Sequence, residues 1–184
     1  ELQNREPLEQ LLRSLKDANI REVQRRRDAG ESDVHAKPVL LKIAPDLTDG
    51  QLGDVIEILR GGVVDGIIAT NTTISRDALQ TTEGQLEKIG GGGLSGAPLT
   101  ERSRDFVRTI YHRTEGQVPI IGVGGIMNGE HAWQMMTAGA SLVQIYTGFV
   151  YGGPSTVNRI NRTLLKRLED EGRGSISEIV GLDA

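Results

Sequence analysis

The chain has 184 residues, 37% of them hydrophobic and 25% charged, with a formal net charge of −4. These proportions suit a globular domain with a buried core and exclude a disordered, collagen-like or coiled-coil chain. The acidic balance argues against a nucleic-acid-binding surface, and no apolar run approaches the length of a membrane span. The absence of cysteine removes disulfides, thiolate metal sites and cysteine nucleophiles.

Glycine contributes 24 residues, nearly twice its usual share of about 7%. The glycines cluster, which reads as loops where the backbone approaches something closely. The sequence opens at Glu1 without an initiator methionine or signal peptide, which reads as a processed or partial chain.

Residues 5–28 carry Leu8, Leu11, Leu12, Leu15 and Val23 at helical spacing, with Arg25, Arg26 and Arg27 closing the helix. A basic cluster there complements the helix dipole and reads as a solvated helix end. Pro38 to Ala44 is an apolar run that fits a strand buried on both faces. Asp46 or Thr48 then opens a helix to about Arg60, with Leu52, Val55, Ile56 and Leu59 as its stripe and Gly61-Gly62 as its stop. Val64–Thr70, Pro119–Val123 and Leu142–Tyr146 read as three further strands. Helices are expected over Thr100–Arg113, Asn128–Ala138 and Pro154–Glu171, and Ser175 to Glu178 has a capping-box pattern. One helix followed by four strand–helix units predicts an α/β fold with a parallel sheet and right-handed crossovers.

In such units the loops after the strands face the ligand. Lys42 sits inside an apolar strand. It is either a desolvated, fixed cation for an anionic ligand or a lysine that reaches out past the strand end. Thr70-Asn71-Thr72-Thr73 offers donors and acceptors at the second strand end, or a turn and cap cluster. The run Gly90 to Gly93 before Leu94-Ser95-Gly96-Ala97-Pro98 fits an anion cradle or a mobile loop. Gly122-Val123-Gly124-Gly125 lacks the third glycine of a dinucleotide fingerprint, because Met127 stands there, but suits phosphate binding by backbone amides. Tyr146-Thr147-Gly148 follows the next strand. Two successive loops of this kind match the phosphate site after strands 7 and 8 of a (β/α)₈ barrel. His35, His112 and His131 fall in expected loop or helix-surface positions without metal-ligand spacing, and no metal site is expected. Trp133, Met135 and Met136 share one helix and read as packing. No Ser/His/Asp set and no glycosidase-type carboxylate pair is apparent.

The segments Lys42 to Thr48, Thr70 to Arg76, Gly92 to Leu99, Val118 to Ile126 and Gly139 to Thr147 occur in that order. This pattern, from about residue 38 to the end, resembles the C-terminal half of the dihydroorotate dehydrogenases of the quinone-linked class. The resemblance implies a (β/α)₈ TIM barrel, of which residues 1–184 would be the C-terminal half: strands 5 to 8 and their helices of a single FMN-binding domain. It implies FMN-dependent oxidation of dihydroorotate to orotate in pyrimidine biosynthesis, with a quinone as electron acceptor. Lys42, Thr70, Gly96, Gly125, Tyr146 and Thr147 match cofactor-binding positions, and Asn71 and Thr72 match substrate-binding positions. In the implied chemistry a base removes a proton from dihydroorotate, a hydride passes to the flavin, and Lys42 stabilises negative charge on the reduced ring.

A full barrel needs eight strands and four are found. The catalytic base, a serine in this class, is therefore expected in the N-terminal half of the barrel, which becomes a required partner. A second Asn-bearing substrate motif and the helical extension that meets quinone and membrane belong there too. No catalytic residue is assigned to this segment, which alone is expected to be soluble and inactive. The whole protein is expected to be peripheral on the bacterial inner membrane, cytoplasmic side, or on the mitochondrial inner membrane. Gln85 to Ile89 reads as a loop insertion. Another FMN-binding barrel oxidoreductase, or a non-catalytic half-barrel, remain alternatives that activity with dihydroorotate separates.

Overall fold

The computed structural model describes residues 5–77 and 79–184; Glu1 to Asn4 and Ala78 lie outside them. Among the described residues a single parallel sheet has four strands: β1 (Leu40–Ile43), β2 (Gly66–Ala69), β3 (Ile120–Val123) and β4 (Leu142–Gln144). They lie in chain order, each paired parallel to the next. The helices are α1 (Arg5–Asp28), α2 (Asp49–Arg60), α3 (Glu83–Ile89), α4 (Thr100–Arg113), α5 (Gly129–Thr137), α6 (Thr147–Gly152) and α7 (Thr156–Asp170). Helices intervene between successive strands, as parallel pairing requires. The arrangement is half of a (β/α)₈ barrel.

Local chemistry sets the helix ends. Thr48, not Asp46, caps α2: its side chain accepts from the Gln51 N–H, and Gln51 answers with its side chain on the Thr48 N–H. Asn128 caps α5 by accepting from His131 N–H at 2.9 Å. The short turn Ile176–Ile179 begins at Ser175, which accepts from Ser177 N–H.

The two faces of the sheet differ. Register places Ile43, Ala69, Gly122 and Val143 in one row, and Lys42, Ile68, Ile121 and Leu142 in the next. The first row faces the helices. There Ile67, Ala69 and Ile120 are fully buried, with Val107 and Ile110 of α4 and Met135 of α5 in the same core. Fully burying an aliphatic side chain contributes about 1.5–3 kcal/mol, so this layer holds the chain together. The second row faces the barrel interior and stays open: Ile68 and Ile121 are half-buried, Lys42 is exposed, and Leu142 is 61% exposed.

The expectation that β1 is buried on both faces is therefore corrected. Its helix face is covered and its inner face is not, because nothing among the described residues lies opposite it. On α1 only Leu8 and Leu12 of the expected stripe are buried; Leu11 and Leu15 stay exposed. The segment Gln85 to Ile89, expected as an inserted loop, lies within α3.

Candidate functional site

The strand ends converge on one cleft of about 290 Å³. Every candidate from the sequence lines it: Lys42 from β1, Thr70, Asn71 and Thr72 after β2, Gly96 of the glycine loop, Gly125 after β3, and Tyr146 and Thr147 after β4. Parallel strands put all their C-terminal ends on the same side, so residues far apart in sequence meet there.

The side chains divide into those turned into the scaffold and those left free. Thr70 is buried, and its hydroxyl shares a hydrogen bond with Ser103 of α4 at 3.0 Å. Its N–H donates to Val123 O at 2.7 Å, and the Asn71 N–H donates to Ile43 O at 2.7 Å. The main chain of this loop is thus locked to both neighbouring strands. The Asn71 side chain is exposed, and among the described residues its amide has no protein partner. The Lys42 ammonium likewise has no hydrogen bond or ion pair among the described residues. Of the two readings of Lys42, a desolvated cation or a lysine reaching out past its strand, the structure shows an exposed lysine on the open inner face. Among the described residues no carboxylate pairs with it, and it stands as an unpaired lysine at the cleft.

The opposite wall is backbone. The N–H groups of Gly125, Ile126, Thr147 and Gly148 donate to no protein acceptor among the described residues. Gly125 has φ +71°, and a Cβ on it would overlap the backbone N and Cα of Thr100; only glycine lets this loop lie against the start of α4. Thr100 Oγ1 donates to Gly125 O at 2.8 Å and fixes that approach. Across the cleft, Thr147 Oγ1 donates to Ser95 Oγ at 2.9 Å, and a Cβ on Gly96 would meet Thr147 Cγ2 at 2.9 Å. The glycine loop and the loop after β4 are therefore in contact. Unpaired N–H groups gathered in a concave wall suit an anion.

The structure adds one residue that sequence reasoning placed on the surface. His131 is half-buried behind the Gly125 loop. Its Nδ1 accepts from Met127 N–H at 3.3 Å and lies 3.0 Å from Gly125 O. The Asn128 cap supplied the signal, since capping turns the third residue after it back toward the loop. His35 and His112 are exposed. Trp133, Met135 and Met136 are buried in the core, with Arg167 stacked 4.2 Å from the Trp133 ring centroid.

A half-barrel with an unpaired cation and a wall of free amides at its strand ends defines an α/β barrel class of protein with a candidate ligand cleft at the C-terminal ends of its strands. Comparison with known proteins narrows it. The family model for dihydroorotate dehydrogenase matches residues 2–168, and the chain belongs to that family. It is 50% identical over 150 residues to a dihydroorotate dehydrogenase (quinone) of Trichodesmium erythraeum, covering 79% of this chain and 40% of that protein. It is 46% identical over 176 residues to the protein of the same name in Nostoc punctiforme, covering 94% of this chain and 46% of that one. Its fold matches a crystal structure of dihydroorotate dehydrogenase from Eimeria tenella in complex with ferulenol, with a TM-score of 0.87 and 35% identity over 99% of this chain and 49% of that chain. The chain thus spans about half the length of the relatives it matches.

Proposed function

We propose that this chain is the flavin- and substrate-binding C-terminal half, strands 5 to 8, of a quinone-linked dihydroorotate dehydrogenase. The observation that carries the reading is the meeting of Lys42, Asn71, Thr72, Gly96, Gly125, Tyr146 and Thr147 on one cleft. Relatives named dihydroorotate dehydrogenase (quinone) at 46–50% identity support it.

The residues present fit flavin mononucleotide. The free N–H groups of Gly125, Ile126, Thr147 and Gly148 match a phosphate, which needs several donors and no buried carboxylate nearby. Lys42 would face the electron-rich ring, and Thr70 would border it from a position locked by Ser103. When bound, FMN supplies the hydride acceptor that side chains lack. The chain's own residues do the rest. Lys42 would set a positive charge beside the ring, where negative charge gathers on reduction. Asn71 presents both an amide donor and an acceptor, the complement of a pyrimidine dione, and Thr72 adds a hydroxyl. The glycine loop against Thr147 helps to close the cleft from water.

The base that takes the substrate proton, a serine, lies on this reading in the N-terminal half of the barrel. That half covers the open inner face, pairs with the free edges of β1 and β4, and carries the contact with quinone and membrane. No described helix of this chain is long and apolar enough to cross a membrane; the reading of peripheral association rests on the quinone-linked relatives. The test is turnover of dihydroorotate with a quinone acceptor by this chain assembled with that half. Turnover requiring both pieces supports the reading. A flavin-loaded complex that leaves dihydroorotate untouched and accepts a different reductant points to another FMN barrel oxidoreductase.

A further inference from the structure

Asp46 does not line the cleft, yet it ties together three segments that build the cleft's Asn71 wall. It stands just past β1 and reaches the loop after β2. Its Oδ1 accepts from Thr73 Oγ1 at 2.5 Å, and its Oδ2 accepts from Ile74 N–H at 2.9 Å. Arg102 of α4 faces the same carboxylate at 3.6 Å and donates Nε–H to Pro45 O at 2.8 Å. Thr73 is buried and joins the glycine loop through two main-chain bonds: Thr73 N–H to Leu94 O at 3.1 Å and Leu94 N–H to Thr73 O at 2.7 Å. Arg76 completes the knot by donating to the carbonyls of Thr73, Ile74 and Ser75 and to Gly92 O. A single carboxylate thus sets the position of Thr73, and through it both Asn71 and Thr72 on one side and the glycine loop on the other.

We propose that Asp46 is a positioning residue, with Arg76 as its counterpart, that holds Asn71 and Thr72 in register for a pyrimidine-dione carboxylate. The proposal rests on the reading of Asn71 and Thr72 as substrate contacts. Physical chemistry makes the knot demanding. Removing the carboxylate leaves the buried Thr73 hydroxyl and the Ile74 N–H without their acceptor. It also leaves Arg102 without its counter-charge. Charge-assisted bonds of this kind carry an effect of roughly 10- to 100-fold when one partner is lost. The anion wall of Gly125, Ile126, Thr147 and Gly148 lies on the other strands and makes no bond to Asp46; it meets the glycine loop through the Thr147–Ser95 hydrogen bond and the packing of Thr147 on Gly96.

The test compares Asp46→Asn and Asp46→Ala by amide hydrogen exchange and by steady-state kinetics of the assembled enzyme. Expected for Asp46→Ala is loss of protection at the Thr73, Ile74 and Leu94 amides, with the Ile67 and Ser141 amides beside the strands unchanged. The KM for dihydroorotate rises about 10- to 100-fold, with flavin content retained. Asp46→Asn keeps one acceptor oxygen and recovers part of both effects. Unchanged protection at Thr73 and Leu94 in both variants overturns the proposal, as does a fall in kcat or flavin content with KM unmoved. If the alanine variant also loses protection at Ile67 and Ser141, Asp46→Asn decides alone: a local loss at Ile74 supports the proposal and none refutes it. Wild-type enzyme that ignores dihydroorotate would sink the substrate reading, while the exchange pattern still judges the knot.

Discussion

Replacing Gly125 with alanine separates two reasons for a glycine in the anion wall. The residue has φ +71°, which costs a side-chain-bearing residue about 1–2 kcal/mol. The added Cβ would overlap the Thr100 backbone, and backbone at the start of α4 cannot swing aside as a flexible side chain would. The loop must back away, and the bond from Thr100 Oγ1 to Gly125 O at 2.8 Å weakens or breaks, at about 1 kcal/mol. The sum is about 2–3 kcal/mol before any residual overlap. In a chain of this size that lowers Tm by about 4–12 °C. Gly172→Ala is the matched control: φ is +65° and nothing lies within 4 Å of a Cβ there. It bears only the conformational cost, about 2–8 °C, and so should melt at least about 2–4 °C above Gly125→Ala. Thermal unfolding followed by circular dichroism reads both. Two variants melting together would refute the claim that contact with Thr100, rather than φ alone, requires glycine at 125. The same shift of the loop should weaken FMN binding at least about tenfold for Gly125→Ala, since several amides lose alignment together, and leave it unchanged for Gly172→Ala.

Lys42→Ala removes an exposed, unpaired cation, so Tm should hold within about 2 °C while flavin reduction by dihydroorotate falls at least about 100-fold; stopped-flow absorbance checks it. Asn128→Ala removes the cap of α5 and should cost about 1 kcal/mol, or roughly 2–4 °C in Tm, and free His131 to leave Gly125. At the end of α1, hydrogen bonds from Arg25 to Glu22 and from Arg26 to Glu31 hold both carboxyls below the ordinary glutamate value. A lowered folded pKa gives stability that is present above the unfolded value and lost as pH falls through the folded one. The protection factors of the helix-end amides of α1, taken relative to the intrinsic exchange rate at each pH, should therefore fall on acidification below the usual glutamate range, and high salt should weaken that pH dependence. Protection factors flat through that range would contradict it.

Much of this fold was legible because burial and periodicity agree. The stripe Leu52, Val55, Ile56 and Leu59 on α2 is buried as spaced, and α1 spans the residues its pattern indicated. Strand ends were read too long. Tyr146, expected in the last strand, has φ −133° and ψ −71° and already turns the chain into α6. Two helices escaped. Helix α3 buries no residue, so it shows no apolar stripe; the Thr82–Gln85 capping box was its visible signal. Helix α6 is short and begins without a side-chain cap.

The candidate site was legible because strand-end loops of parallel units must meet. What a linear reading could not supply was the state of each group there. The apolar sequence neighbours of Lys42 left burial and exposure both open, and the register decides it by putting those neighbours on the other face. Asp46 read as a helix opener beside Thr48, and only the fold shows it reaching Thr73 and Ile74 instead. His131 read as surface because its contact with Gly125 depends on the turn between them.

The most direct test of the central claim is an absorbance spectrum. This chain, co-expressed with the preceding half of the Nostoc punctiforme relative and purified as a complex, is recorded before and after anaerobic dihydroorotate. The account predicts a flavin band that bleaches on substrate addition and is lost when Lys42 and Gly125 are both replaced. A colourless complex of the two halves, or bound flavin that stays oxidised, would contradict it.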